Sequence, residues 1–113
     1  MNVAPDIQAL EFDADKGLGE RARIGLIVLQ SDQTIEHEFA TLLKRDGVAV
    51  YAARIPNEME VTLDTLRKME ADLPLTAALL PATFDFDVIG YCCTSGATMI
   101  GEARVDEILR GVH

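Results

Sequence analysis

Five apolar side chains, Ile24, Leu26, Ile27, Val28 and Leu29, crowd the segment RIGLIVLQ at positions 23–30 with almost no polar break. A run without alternation fits a strand covered on both faces, the habit of parallel sheets. The period then changes. Ile35, Phe39, Leu42 and Leu43 recur at i, i+4, i+7 and i+8, which predicts an amphipathic helix with Ser31 or Asp32 as its cap and Gly47 as its C-terminal stop. VAVYAARI at 48–55 predicts a second strand, closed by Pro56 and Asn57. Thr62 is placed to cap a helix carrying Leu63, Leu66 and Met69 on one side. Pro74 is expected to interrupt it, and PLTAALLP to form a further short helix beginning at the proline. FDVIGY at 86–91 is short, apolar and β-branched, which suits a third buried strand. Beyond Gly96, the residues Ala97, Gly101, Val105, Ile108 and Val112 fall on one helical face, with the smallest side chains first, so that this helix can approach a sheet closely.

The resulting order is β-α-β-α-β-α, whose short connections call for parallel strands and right-handed crossovers. In such sheets ligands bind beyond the carboxyl ends of the strands. Three of those ends follow the predicted strands, LQSDQT, RIPNEM and CCTSG, and all should open on one edge. Three parallel strands are a thin sheet and read as half of a larger fold. Residues 1–22 read as an N-terminal arm with one short alternating piece, ALEFDAD, and residues 23–113 as the α/β domain.

Composition narrows the classes. A chain of 113 residues supports one core, and 49% hydrophobic with 26% charged residues is the make-up of a globular protein. Ten Lys and Arg against nineteen Asp and Glu give a net charge of −9, which repels a phosphate backbone and argues against nucleic acid as a partner. No apolar run reaches bilayer length, and the N-terminus lacks the basic start and apolar block of a signal peptide, so no membrane partner and a cytoplasmic setting are the expectation.

The candidate chemistry lies in GYCCTSGATMIGE at 90–102, which holds the only two cysteines of the chain. Thr94 and Ser95, followed by Gly96 and a helix, gather hydroxyls and unpaired N–H groups at the positive end of a helix dipole, where a carboxylate or an enolate oxygen could be held. The same field favours a thiolate acting as nucleophile or proton carrier. Cys93, at the point where strand gives way to turn, is better placed than Cys92, which is expected to pack in the core. A plain alternative fits the same letters: a hydroxyl residue before glycine is first of all an N-cap, and small cysteines suit a tight corner. The local pattern leaves both readings open. His37 falls off the apolar face of its helix and His113 is terminal, so both are expected to be solvated. Zinc-ligand spacing and the Cys-x-x-Cys redox pattern are absent, and Asp85 and Asp87 read as solvated or turn-forming acids.

Together with RIGLIVLQSDQTIEHEF and RIPNEMEVTLDTLRKMEADLPLTAALLP, the string YCCTSGATMIGEARV resembles the aspartate/glutamate racemase superfamily, more closely the branch of maleate cis-trans isomerase, arylmalonate decarboxylase and the ectoine-utilisation proteins. The similarity runs from Arg23 to Val112. It implies a three-layer, flavodoxin-like half of a two-lobed fold, in which two α/β halves face each other across a cleft, each offering one cysteine position, without metal or organic cofactor. It implies the amino-terminal catalytic position for Cys93: an acid/base thiol in racemases, and in maleate isomerases the nucleophile that adds to the double bond. In the decarboxylases this position is glycine. Thr94 and Ser95, with the Gly96 N–H, would hold the substrate carboxylate, and Gln30, Ser31 and Asp32 would form the first substrate-facing loop. The expected function is a cofactor-independent isomerase or racemase acting on a small carboxylic or dicarboxylic acid. The second cysteine and the far wall of the cleft are missing from this sequence, so a second copy or a C-terminal half would have to supply them. The alternatives are a non-catalytic half-domain that binds a small acid or oligomerises, and a binding module with the same strand-helix rhythm.

Overall fold

The computed structural model describes residues 2–113, and residues 2–17 form neither helix nor strand. β1 (Ala22–Leu29), β2 (Val48–Ile55) and β3 (Val88–Tyr91) make one parallel sheet in the order β2-β1-β3, with the apolar run of β1 in the centre. The helices are α1 (Ile35–Leu42), α2 (Leu63–Ala77), α3 (Thr94–Ile100) and α4 (Glu102–Val112). Mixed α/β architecture with parallel strands is thus what the patterning predicted. Among the described residues no helix is long and apolar enough to cross a membrane.

Register decides which side chains meet. Ile27 lies opposite Ala53 and Tyr91, and Leu29 opposite Ile55, so these positions share one face of the sheet. That face buries Ile27, Ala53 and Ile55 against Met69, Leu73 and Ala77 of α2, Leu80 beyond it, and Ile108 and Leu109 of α4. Gly25 belongs to the same face, and its missing side chain matters. A Cβ there would stand 3.1–3.2 Å from Leu80, Ile89 and Phe86, so the segment after α2, the loop before β3 and β3 itself close in on the β1 backbone. The opposite face carries Leu26 and Val28, both buried, and α1 lies against β2. The face of α1 predicted to be apolar is only partly covered: Ile35, Phe39 and Leu43 are half-buried and Leu42 is exposed.

Three boundaries differ from the sequence expectation. Pro74 does not interrupt its helix; α2 runs through it, and no separate helix begins at the proline. A proline removes only one backbone hydrogen bond, and Leu73, Thr76 and Ala77, all buried on the core side, hold the turns around it in place. Pro74→Ala should therefore raise stability by about 1 kcal/mol, read as a higher urea midpoint with unchanged slope. The last helix, expected to be continuous, is broken into α3 and α4 at Gly101, whose φ of +92° belongs to the region that glycine tolerates best. Gly47, expected to stop α1, lies five residues beyond its end, in the turn that enters β2, with φ of +79°. The cap of α2 matches its prediction. Thr62 Oγ1 accepts the Thr65 N–H at 3.1 Å, and Thr65 Oγ1 accepts the Thr62 N–H at 2.9 Å.

Candidate functional site

β3 ends at Tyr91, but its pairing with β1 continues one residue further, because the Cys92 N–H donates to the Ile27 carbonyl at 2.8 Å. Cys93 keeps an extended backbone, φ −139° and ψ 104°. The alternation that points Ile89 and Tyr91 at the core therefore carries through to Cys93. This reverses the expected burial of the two thiols. Cys93 joins the core cluster and is 8% exposed, whereas Cys92 is half-buried on the other side of the strand. Both are free thiols.

Cys93 is also the cap of α3, a role expected of the hydroxyl residues Thr94 or Ser95. Its Sγ accepts the Gly96 N–H at 3.3 Å and lies 4.0 Å from Ser95 Oγ. The two local readings of this turn are thus realised on one atom: the thiol is the capping group. Gly96, expected to turn its N–H to a substrate, gives it to this sulfur and is buried. A Cβ on Gly96 would come within 2.5 Å of the Tyr91 hydroxyl and 3.1 Å of Cys93 Sγ, so glycine is what lets the phenol and the thiol share this corner. Thr94 and Ser95 occupy the first turn of α3 with exposed side chains.

Tyr91 is a site residue that the patterning passed over. Its hydroxyl lies beside the Cys93 thiol and donates to Met69 Sδ at 3.9 Å. Burial, and then the charge and hydrogen bonding of Cys93, push the phenol well above its ordinary range, so it stays protonated and can serve only as a neutral donor or acceptor. The available signal was a tyrosine on the core parity of a strand, with its polar tip reaching the turn. Burial, followed by the nearby Asp32 carboxylate, pushes the Cys92 thiol up as well.

That influence of Asp32 on Cys92 brings the first and third strand ends together. The cap position of α1 is Thr34, not Ser31 or Asp32 as expected, and the Thr34 side chain makes no capping bond; Asp32 Oδ1, two residues earlier, accepts the N–H groups of Thr34 and Ile35, each at 2.9 Å. Ser31 turns to β2 instead. Its N–H and hydroxyl meet Asn57 Oδ1 at 3.2 Å, while Asn57 Nδ2 donates to Ser31 Oγ at 3.0 Å. Arg54 Nη1 reaches the carbonyls of Leu29, Gln30 and Asp32 at 3.3, 3.0 and 2.7 Å, and its Nη2 pairs with Glu36 at 2.7 Å. Arg54 and Asn57 are therefore the residues that shape the Gln30-Ser31-Asp32 loop, and neither stood out in the sequence. Gln30, Asn57, Lys68, Met69 and Asp72 are among the residues lining a cavity of about 210 Å³ on this edge. Tyr91 and Gln30 thus approach Met69 from the third and first strand ends.

The hydrogen bonds from Thr34 and Ile35, followed by the Arg54 charge, hold the Asp32 carboxyl below its ordinary 3.8 despite some opposing desolvation. A lowered folded value means that its contribution is complete above the unfolded value and is lost as pH falls through the folded one. Asp32→Asn keeps an oxygen acceptor without the charge. It should flatten the loss of stability that the wild-type protein shows between about pH 5 and pH 2, measured by urea denaturation across that range.

The histidines stay outside this edge. His37 is exposed on α1. His113 is exposed, as expected, and also places Nε2 2.6 Å from the Ala77 carbonyl and its ring edge-on to Phe86 at 5.5 Å. Asp87 extends the β1–β3 pairing: its Oδ2 accepts the Arg23 N–H at 2.8 Å, and its own N–H donates to the Arg23 carbonyl at 2.9 Å. Asp85 is exposed. No family model, no curated protein and no solved structure matches the chain.

Proposed function

We propose that this chain is the first half of a flavodoxin-like, two-lobed, cofactor-independent isomerase of the aspartate/glutamate racemase superfamily, acting on a small unsaturated dicarboxylate through Cys93. The observation that carries the reading is the environment of its sulfur. Cys93 Sγ accepts the Gly96 N–H at 3.3 Å at the end of the strand where parallel sheets bind ligands. A sulfur with a backbone N–H beside it at the start of a helix is a setting in which cysteines serve as nucleophiles. Thr94 and Ser95, exposed in the adjoining turn, are available to a substrate carboxylate.

In this chemistry the Cys93 thiolate adds to one alkene carbon, and the π electrons pass to the carbon beside a carboxylate, forming an enediolate. Rotation about the new single bond follows. The enediolate pair then re-forms the double bond and expels the sulfur, so the thiolate returns unchanged. Donors aimed at the enediolate oxygens contribute about 3 kcal/mol each to lowering such a barrier. Thr94 and Ser95 supply hydroxyls for that role.

The second reading is a non-catalytic half-domain that binds a small acid or pairs with another copy, and the low exposure of Cys93, 8%, favours it. The readings separate in one experiment. The full chain is incubated with maleate, fumarate is followed by proton NMR, and adducts are mapped by mass spectrometry. The isomerase reading expects fumarate and a succinyl adduct on Cys93. Absence of both, with the protein folded, would leave the non-catalytic half-domain.

A further inference from the structure

The apolar side chains of the N-terminal arm stand clear of the core. Leu10 and Phe12 are 79% and 85% exposed, in a stretch that forms neither helix nor strand. Between Ala9 and Asp15 the chain alternates: Leu10, Phe12 and Ala14 fall on one side of an extended segment, and Glu11, Asp13 and Asp15 on the other. None of these acids forms an ion pair among the described residues. This is the pattern of a strand whose sheet lies elsewhere.

β2 offers such a sheet. Its partner is β1 alone, and a doubly wound sheet that begins in the order β2-β1-β3 grows beyond β3, so β2 keeps its free side whatever strands come after. Beside the first half of β2, on the face that carries α1, lies a concavity of about 500 Å³ with Leu43, Val48 and Val50, all half-buried, as its apolar floor. Lys44 and Arg45 line it as well, exposed and in no ion pair among the described residues, against the single acid Asp46. Free strand backbone beside an apolar channel accepts an added strand, and cations on the rim select an acidic one.

The arm of the same chain starts from the opposite face. Arg23 and Ala49 are paired on the core side of the sheet, and Gly19 packs on both, since a Cβ there would stand 2.5 Å from Arg23 Cγ and 3.2 Å from Ala49 Cβ. Arg23 Nη2 also donates to the Lys16 carbonyl at 3.2 Å. These contacts hold residues 16–19 on the core face, whereas Val48 and Val50 belong to the other. Each arm thus leads away from its own groove, and each groove is left to another copy.

We propose that two copies of this chain pair by exchanging arms, residues 9–15 of each lying along the free side of β2 in the other. Leu10 and Phe12 enter the channel against Leu43, Val48 and Val50, and Glu11 and Asp13 meet Lys44 and Arg45 at its rim. The exchange is reciprocal, so the same contact is made twice about a two-fold axis. It lies on the outer edge of the sheet and does not depend on the chemistry of Cys93.

Sedimentation velocity of the full chain, run from roughly micromolar to millimolar concentration, should show a dimer that dissociates on dilution. Lys44→Glu with Arg45→Glu, and separately Glu11→Lys with Asp13→Lys, should each weaken the dimer about tenfold or more. All four positions are exposed, so the amide spectrum of the core is kept. Placing the four reversals in one chain should restore the dimer to within about threefold of the wild type, with hydrogen exchange along the free side of β2 slowing as concentration rises. A chain that stays monomeric at roughly millimolar concentration would overturn the proposal. So would a dimer indifferent to both pairs of reversals, reversals that fail to rescue each other, or full protection of β2 in the dilute monomer, which would place the arm in its own groove.

Discussion

Cys93→Ala is expected to reduce maleate turnover by about a thousandfold or more, the usual consequence of removing a nucleophile whose covalent step has no substitute. The change also deletes the acceptor of the Gly96 N–H, leaving the first turn of α3 uncapped at a buried position. That loss should cost about 1 kcal/mol of stability. Cys93→Ser separates the two effects. A serine oxygen is a good N-cap and should keep the fold near wild-type stability, while its hydroxyl is too poor a nucleophile to replace the thiolate. The pattern that supports the account is therefore alanine and serine variants equally inactive, with only alanine measurably less stable in urea. A serine variant with near wild-type turnover would show that the sulfur is a cap and nothing more.

Leu73→Ala is expected to produce the largest loss of stability. Leu73 is fully buried in α2, in the cluster that unites Ile27 and Ile55 of the sheet with Ile108 and Leu109 of α4. Truncation removes its transfer contribution and leaves a cavity between helix and sheet, at a cost of about 3 kcal/mol. Domains of this size are held by only about 5–15 kcal/mol, so the variant loses a large part of its margin. Its thermal midpoint should fall on the order of 10 °C. Leu75, two positions along the same helix and 70% exposed, is the internal comparison, and its alanine variant should stay within about 0.5 kcal/mol of the wild type.

The contrast between those two leucines shows what the sequence carried and what it did not. Periodicity located the three strands and the helices because a continuous β-branched run, or a recurrence every three to four residues, reports directly on which faces are buried. The Thr62 cap was legible because short oxygen-bearing side chains have few other uses at a helix start, whereas the cap of α1 falls on Thr34, later than the expected Ser31 or Asp32. Pro74 misled because its effect on a helix is local, whereas the burial of Leu73 and Ala77 on either side is tertiary. Gly101 misled in the opposite sense: its apolar spacing matched a continuous helix, yet its positive φ breaks the chain there.

The site was legible in position more than in detail. Placing the cysteine turn at the carboxyl end of a parallel strand followed from element order. Assigning the burial of the two thiols required knowing how far the strand's alternation persists, and it persists two residues beyond Tyr91, to Cys93. Arg54 and Asn57, which hold the first loop through carbonyl and hydroxyl contacts, carry no motif at all. Their roles arise from the neighbouring positions of β1 and β2 in space, information that only pairing register supplies.

The central claim is that Cys93, and not its neighbour, is the working thiol. Exposure alone predicts the reverse, because Cys92 is the more accessible of the two and Cys93 is 8% exposed. Burial and the Asp32 charge push the Cys92 thiol up, whereas Cys93 Sγ accepts a backbone N–H. The decisive measurement is a time course of alkylation by iodoacetamide on the folded chain near neutral pH, with each cysteine resolved by peptide mass spectrometry. The account predicts faster modification at Cys93 than at Cys92, and protection of Cys93 by maleate. Faster labelling of Cys92, with Cys93 modified only on unfolding, would contradict it.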